Sequence, residues 1–246
     1  MTIIQELLKD NYSYEQAKTI QIKYQNLMKK SSDHKFITNI ELINTIVGVD
    51  ISYFKEKNDE YGIACAVVWN LKENLQENLF FAKNIIKFSY KPGFLGFREC
   101  KLLATVISKV PNKPALIMCD GHGKIHPRRF GEAVHLGYAL DIPSMGVAKN
   151  SFVGFSDWQK IERVKGNKTP IWAKNPKNLS KEDLNDFLGY AVCLNDGYKP
   201  VFISEGYKIS LNLVLRICLA TTKNHRQPEP LYLADKFSRK EIKNYI

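Results

Sequence analysis

Three acidic residues occupy positions where a carboxylate is expensive unless it has work to do. Asp50 interrupts the run Thr45-Ile-Val-Gly-Val-Asp-Ile-Ser-Tyr-Phe54, which is rich in β-branched residues and otherwise reads as a core strand. Asp120 ends the apolar run Ala115-Leu-Ile-Met-Cys-Asp120, immediately before Gly-His-Gly, and Glu99 stands at the start of a helical stretch between the two. A carboxylate in an apolar strand needs a cation, a metal ion or strong hydrogen bonds to offset its lost hydration. Magnesium suits such a set, because it takes one or two carboxylates and fills its shell with water and substrate phosphate. Two such ions could activate a water and stabilise the leaving oxygen of an in-line displacement. Other readings stay open at this point. Asp50 could pair with an arginine at a strand end, Glu99 could favour a helix dipole, and Asp120 could form a turn before glycine. Spacing alone leaves both possibilities standing.

Positioning these groups falls to a series of elements that the pattern predicts. Strands are expected over 45–54, 63–71 and 79–88, with 55–61 as a turn, making an antiparallel meander. The segment 90–97 is a loop, because Pro92 and Gly93 would break any ladder. Helices follow over 98–110 and 130–140, alternating with short strands over 115–120 and 144–149. Residues 156–187 read as surface loop with a short helix, 190–194 and 200–204 as strands, and 211–220 and 233 onward as helices. Residues 3–31 read as one helix, part of an N-terminal helical extension at about 1–40, with Lys29 and Lys30 near its C-terminus complementing the dipole. No linker divides the chain. The pattern predicts a single α/β domain with a mixed sheet flanked by helices.

Composition narrows the partners. Of 246 residues 44% are apolar, enough for a full core. Lys and Arg number 36 against 25 Asp and Glu, a net charge of +11, which points toward a polyanion such as nucleic acid. The five cysteines form no C-x-x-C pair, so no zinc knuckle is expected and reduced thiols in a cytoplasmic setting are. No run is long and apolar enough to span a membrane, and the N-terminus lacks a basic leader.

Four ordered motifs make the sequence specific. Gly48-Val-Asp-Ile-Ser-Tyr53, Tyr90-Lys-Pro-Gly-Phe-Leu-Gly-Phe-Arg-Glu99, Asp120-Gly-His-Gly-Lys-Ile-His-Pro-Arg-Arg-Phe-Gly131 and Gly146-Val-Ala-Lys149 closely resemble the successive motifs of the endonuclease V family, and Pro228-Glu-Pro with Ala234-Asp235 resembles its terminal signature. The likeness spans about residues 45 to 240. It implies a ribonuclease H-like fold and a magnesium-dependent endonuclease, with manganese as a substitute. It further implies cleavage on the 3′ side of an inosine or deoxyinosine nucleotide, leaving a 3′-hydroxyl and a 5′-phosphate, in nucleic acid repair. An RNA-directed enzyme of the same kind, and a non-catalytic nucleic-acid-binding protein, are the alternatives; the protein is expected to work as a monomer.

The resemblance also implies roles for particular residues. Asp50, Glu99 and Asp120 are the expected metal ligands, and Tyr90 with Pro92 belongs to a loop that wedges into the nucleic acid. Gly121 and Gly123 are expected to line the pocket for the displaced base. His126 would sit beside the metal site, Lys149 near the scissile phosphate, and Arg128 and Arg129 would clamp phosphates or cap the following helix. The physics of reading one base inside a stack agrees: the base must be extruded, its gap filled and its edge read. The chain departs from the family in Gly206-Tyr-Lys-Ile-Ser-Leu-Asn212, where relatives usually carry histidine at Tyr207 and often an acid at Asn212. That segment is expected to approach a metal position and the substrate, so a weakly held second ion and a high magnesium requirement are expected too.

Overall fold

The computed structural model describes residues 3–30, 36–178 and 186–246. Its centre is an eight-stranded sheet in the order β3-β2-β1-β4-β5-β8-β7-β6. Strands β1 (Thr45–Glu56), β2 (Asp59–Asn70) and β3 (Leu75–Ile85) form the antiparallel meander. The turn between β1 and β2 is tighter than the 55–61 expected, because Lys57 adopts φ +55° and lets both strands run on to within two residues of each other. β4 (Leu116–Cys119) then pairs parallel to β1, and β5 (Ser144–Ala148) parallel to β4. β6 (Lys168–Trp172), β7 (Phe187–Val192) and β8 (Val201–Tyr207) complete the sheet antiparallel. An antiparallel meander followed by parallel strands, with helices on both faces, is the ribonuclease H-like arrangement expected.

Both faces of the sheet are covered, which explains why β1 is apolar at nearly every position. Val47, Val49 and Ile51 face α2 (Leu95–Ile107) and α3 (Glu132–Leu140) and share their core. Ile46 joins the opposite core, built against α4 (Leu211–Thr221) and α5 (Glu229–Ile242). Ser52 is on that second face too, its hydroxyl 2.7 Å from that of Ser238 in α5. By the two-residue period of a strand, Asp50 points the same way, toward the middle of α5 and Asp235.

Several elements differ from expectation. The single N-terminal helix is a 3-10 turn over Gln5–Leu8 and then α1 (Tyr14–Lys30). Ser13 starts the new helix through a capping box: its hydroxyl accepts from the Gln16 backbone N–H (3.3 Å) while Gln16 Oε1 accepts from the Ser13 N–H (2.9 Å). The segment is also built into the body, since Leu7, Ala17, Ile20 and Tyr24 share a core with Phe88, Phe94, Phe97 and Phe130. Secondly, β6 lies inside the stretch expected to be loop. Its Pro170 hides the strand pattern and is tolerated because β6 is the sheet edge. Thirdly, α2 begins at Leu95 and α5 at Glu229, each earlier than expected, the latter with Pro230 in its first turn, where a missing N–H costs nothing.

Candidate active site

The two parallel strands carry their aspartates to the same level of the sheet. Val49 pairs with Cys119, and the Asp120 N–H donates to Val49 O (3.3 Å), so Asp120, just past the end of β4, stands beside Asp50 in the middle of β1. α2 delivers Glu99 to the same place, and α3 adds a residue not anticipated, Glu132. Glu132 is 4% exposed, shares a hydrogen bond with Glu99, and has an Oε2 with no partner among the described residues. Its carboxylate lies over Gly121, where an added Cβ would fall 2.0 Å from Oε2.

Neutral and basic groups hold this cluster. The Tyr53 hydroxyl donates to Glu99 Oε1. Asp120 is gripped twice, by Lys149 Nζ on Oδ2 (2.6 Å) and by Gln227 Nε2 on Oδ1 (3.1 Å). Asp50 Oδ1 accepts from the backbone N–H of Ile51 (2.8 Å).

The electrostatics are those of a cation site. Burial, with the negative charges of Asp120 and Glu99 added, raises the Asp50 carboxyl well above its ordinary range. Burial likewise pushes Glu99 up to about 7, even though hydrogen bonds from Tyr53 and Glu132 favour its anion. Glu132 is raised by burial and then by Glu99. Burial disfavours the Lys149 ammonium, yet Asp120 and Asp50 outweigh that and hold its pKa above the usual value. Among the described residues no group of three or more His, Cys, Asp or Glu side chains is drawn together closely enough to hold a metal ion as they stand. The orphaned oxygen of Glu132 and the mutual repulsion of four carboxylates are what a bound divalent cation would relieve.

A cavity of about 440 Å³ opens beside the cluster, lined by Tyr90, Pro92, Asp120, Gly121, His122 and Lys149, among others. Its outer wall is the expected wedge loop. Phe94 N–H donates to Lys91 O (3.1 Å) and Gly93 has φ +84°, so Lys91-Pro92-Gly93-Phe94 is a type II turn with proline and glycine in the positions that turn demands. Tyr90 precedes the turn and is 67% exposed. Phe152 closes the other side, stacked on His122 at 5.7 Å between ring centroids.

Other expected residues take different places. His126 also lines the cavity, but its ring serves the loop: Nε2 lies 3.0 Å from Gly93 O, and Nδ1 accepts from the backbone N–H groups of Arg128 (3.2 Å) and Phe130 (3.3 Å). Two donors on Nδ1 require the hydrogen on Nε2, which donates to Gly93. Burial lowers its pKa to about 3, so the ring is neutral and fully used. Arg128 grips Gly93 O with one guanidinium nitrogen (2.8 Å) and stacks over Phe94, and Arg129 pairs with Asp186 (2.9 Å). Gly123 turns from the cavity toward β8, its N–H donating to Ser204 Oγ (2.9 Å).

Tyr207 is the clear correction. It pairs with Ser144 at the N-terminal end of β5, whereas Lys149 follows the C-terminal end, a separation of about 16 Å along the strand. Its hydroxyl donates to Asp141 Oδ1 (3.1 Å) and its ring packs edge-on against Tyr138. Asn212 is exposed in the first turn of α4. Neither approaches the carboxylates, because strand register, invisible in the sequence, points this segment to the other end of the sheet. Tyr207→His should therefore leave the metal concentration for half-maximal cleavage unmoved, and lower stability by about 1 kcal/mol through the lost hydroxyl and ring contacts. Parallel metal titrations and denaturant unfolding of both proteins test this; a shifted titration would return Tyr207 to the site.

Residues 25–236 match the family model of Endonuclease V. Endonuclease V of Dictyoglomus turgidum is 38% identical over 201 residues, covering 82% of this chain and 81% of the relative. The crystal structure of endonuclease V from Streptomyces avermitilis superposes with a TM-score of 0.80 at 30% identity, over 96% of each chain. That of Ciona intestinalis endonuclease V, in complex with a 24mer DNA containing an inosine followed by a ribo-adenosine, does so at 0.75 and 30%, over 94% of this chain and all of the other. Matched by sequence and fold over most of its length, the chain belongs to the endonuclease V family of metal-dependent nucleases.

Proposed function

We propose that this nuclease recognises inosine or deoxyinosine in a nucleic acid strand and hydrolyses a phosphodiester bond on its 3′ side, as a step in repair. The observation that carries the reading is the continuity of one cavity from the exposed ring of Tyr90 to Asp120 and Lys149. A displaced base entering beside the type II turn would bring its own backbone toward the carboxylates. The Ciona intestinalis relative, held on an inosine-containing DNA, supports the same substrate here.

Asp50 and Asp120 would hold the metal, with Glu99 completing the set, and magnesium is the ion best matched to oxygen ligands of this kind, with manganese as its substitute. A divalent ion bound there supplies an activated water and neutralises charge on the leaving oxygen. The chain's own groups do the rest. Gln227 and Lys149 orient Asp120, and the Lys149 ammonium, kept charged by its neighbours, lies where a scissile phosphate would need a cation. Tyr53 fixes the rotamer of Glu99. His126 and Arg128 hold the wedge turn rather than the reacting atoms. No helix among the described residues is long and apolar enough to cross a membrane, and the five cysteines are free and buried, which supports a reducing, cytoplasmic setting.

The test is cleavage of end-labelled DNA and RNA strands, each carrying one inosine or none, with and without magnesium. The expected result is a single magnesium-dependent product mapped 3′ of the inosine. Equal cutting of strands lacking inosine would overturn the substrate reading while leaving a nuclease.

A further inference from the structure

The N-terminal helix reaches the wedge loop through one buried amide. Gln21 of α1 is 1% exposed and every hydrogen-bonding group of its side chain is used. Nε2 donates to Gly93 O (3.1 Å) and to Phe130 O (3.3 Å), and Oε1 accepts from Arg128 Nε (2.5 Å). Gly93 O therefore receives three donors, from Gln21, His126 and Arg128. This carbonyl belongs to the left-handed residue of the type II turn, so holding it fixes the orientation of the turn itself. Seven residues earlier, and so on the same face two turns away, Tyr14 of α1 packs edge-on to Phe88 and against Phe94, with the Lys91 ammonium 4.2 Å from its ring centre. The helix thus touches the loop on both legs of the turn. Gln21 lies outside the residues matched by the family model.

We propose that Gln21 is a positioning residue for inosine recognition, acting through Gly93 to preset the loop that carries Tyr90. A turn held in place before binding has less conformational freedom to lose when the ring enters the stack. Gln21 makes no hydrogen bond to the carboxylates, and although it also lines the cavity, its amide is engaged by Gly93, Phe130 and Arg128, so its effect passes through the loop. This rests on the substrate reading above.

A double-mutant cycle separates positioning from mere support of the fold. Gln21→Met keeps the side-chain volume and removes the amide. Gln21→Glu keeps the acceptor for Arg128 but sets a carboxylate against two carbonyl oxygens. Each is combined with Tyr90→Ala, and binding to an inosine-containing strand and its undamaged counterpart is measured by fluorescence anisotropy, with thermal unfolding as a control. Gln21→Met should weaken inosine-strand binding about three- to tenfold in the parent and less than about twofold once Tyr90 is Ala. Gln21→Glu should be no better than Gln21→Met. Undamaged-strand binding should move less in every case. Equal losses with and without Tyr90, or Gln21→Glu binding like the parent, would overturn the proposal and leave α1 a structural support. Parent protein that fails to prefer the inosine strand would remove the substrate reading and this inference together, whereas a clear preference with an additive cycle removes only the inference. Should Gln21→Met fail to fold, the cycle run with Gln21→Glu decides by the same criterion.

Discussion

Replacing Asp120 by Asn should reduce metal-dependent cleavage by about 10³-fold or more, while most of the affinity for nucleic acid remains. A catalytic metal contributes several kcal/mol of transition-state stabilisation, and about 1.4 kcal/mol is a factor of ten in rate. Asp120 lines the cavity and is braced from two sides, by Lys149 and Gln227. The substitution keeps the shape and removes the charge. Folding should survive it, because the negative charge of Asp120 is one of the forces raising Asp50 and Glu132, so the cluster becomes less self-repelling when that charge goes. Affinity should survive because phosphate binding draws on the basic surface of a chain carrying +11, not on an acidic side chain. Single-turnover cleavage, strand binding in calcium and calorimetric titration with manganese separate the three quantities. Near-parental cleavage by Asp120→Asn would sink the metal-site assignment.

Asp50→Asn belongs to the same prediction for a different reason. Its Oδ1 accepts from a backbone N–H rather than from a cationic side chain, so it has less to lose in orientation and as much in charge. Its loss of rate should match that of Asp120→Asn in order of magnitude, with weaker binding of the first metal ion as the shared cause.

Why these two residues were visible in the sequence, and others were not, follows from what each environment demands. An acid inside a β-branched run violates the pattern around it, so Asp50 and Asp120 stand out. Pro92-Gly93 declares a turn by its own conformational needs. Glu132 breaks no rule, since an acid in a first helical turn is ordinary, and only the packing of α3 against Glu99 shows that it is buried and lacks a partner. Gln227 lies in a polar loop and gives no sign that it will face Asp120. Gln21 did leave a trace: it sits among Ala17, Ile20 and Tyr24 on the buried stripe of α1, where a polar residue needs partners. The Ser13 to Gln16 capping box was equally readable and would have divided the N-terminal segment correctly. Tyr207 shows the opposite failure. A residue matched to a family position carries no information about strand register, and register decides which end of a sheet it reaches. The order of elements survives such errors because hydrophobic periodicity is local, whereas sites are assembled from residues far apart in the chain.

The loop prediction is the more specific to damage recognition. Tyr90→Ala should weaken binding to an inosine-containing strand by about 1–3 kcal/mol, or roughly 5- to 150-fold, the usual worth of one base–aromatic stack. The ring is well suited to that use: it is 67% exposed, it precedes a turn whose carbonyl is held by three donors, and it borders the cavity that ends at Asp120. An exposed aromatic ring on a rigid support gains its contact area only when something covers it. Extruding a base leaves such a gap, so the ring should matter most where a base leaves the stack readily. Inosine pairs less firmly than the adenine it replaces, and the loss on an undamaged strand should accordingly be smaller. Tyr90→Phe should retain most of the affinity, because stacking depends on the ring and not on its hydroxyl. Anisotropy titrations of matched strands, at one stated salt concentration, provide the comparison. Losses of equal size on both strands would make Tyr90 a general contact with nucleic acid, and the discrimination of inosine would then have to reside in the walls of the cavity, at Gly121, His122 and Phe152.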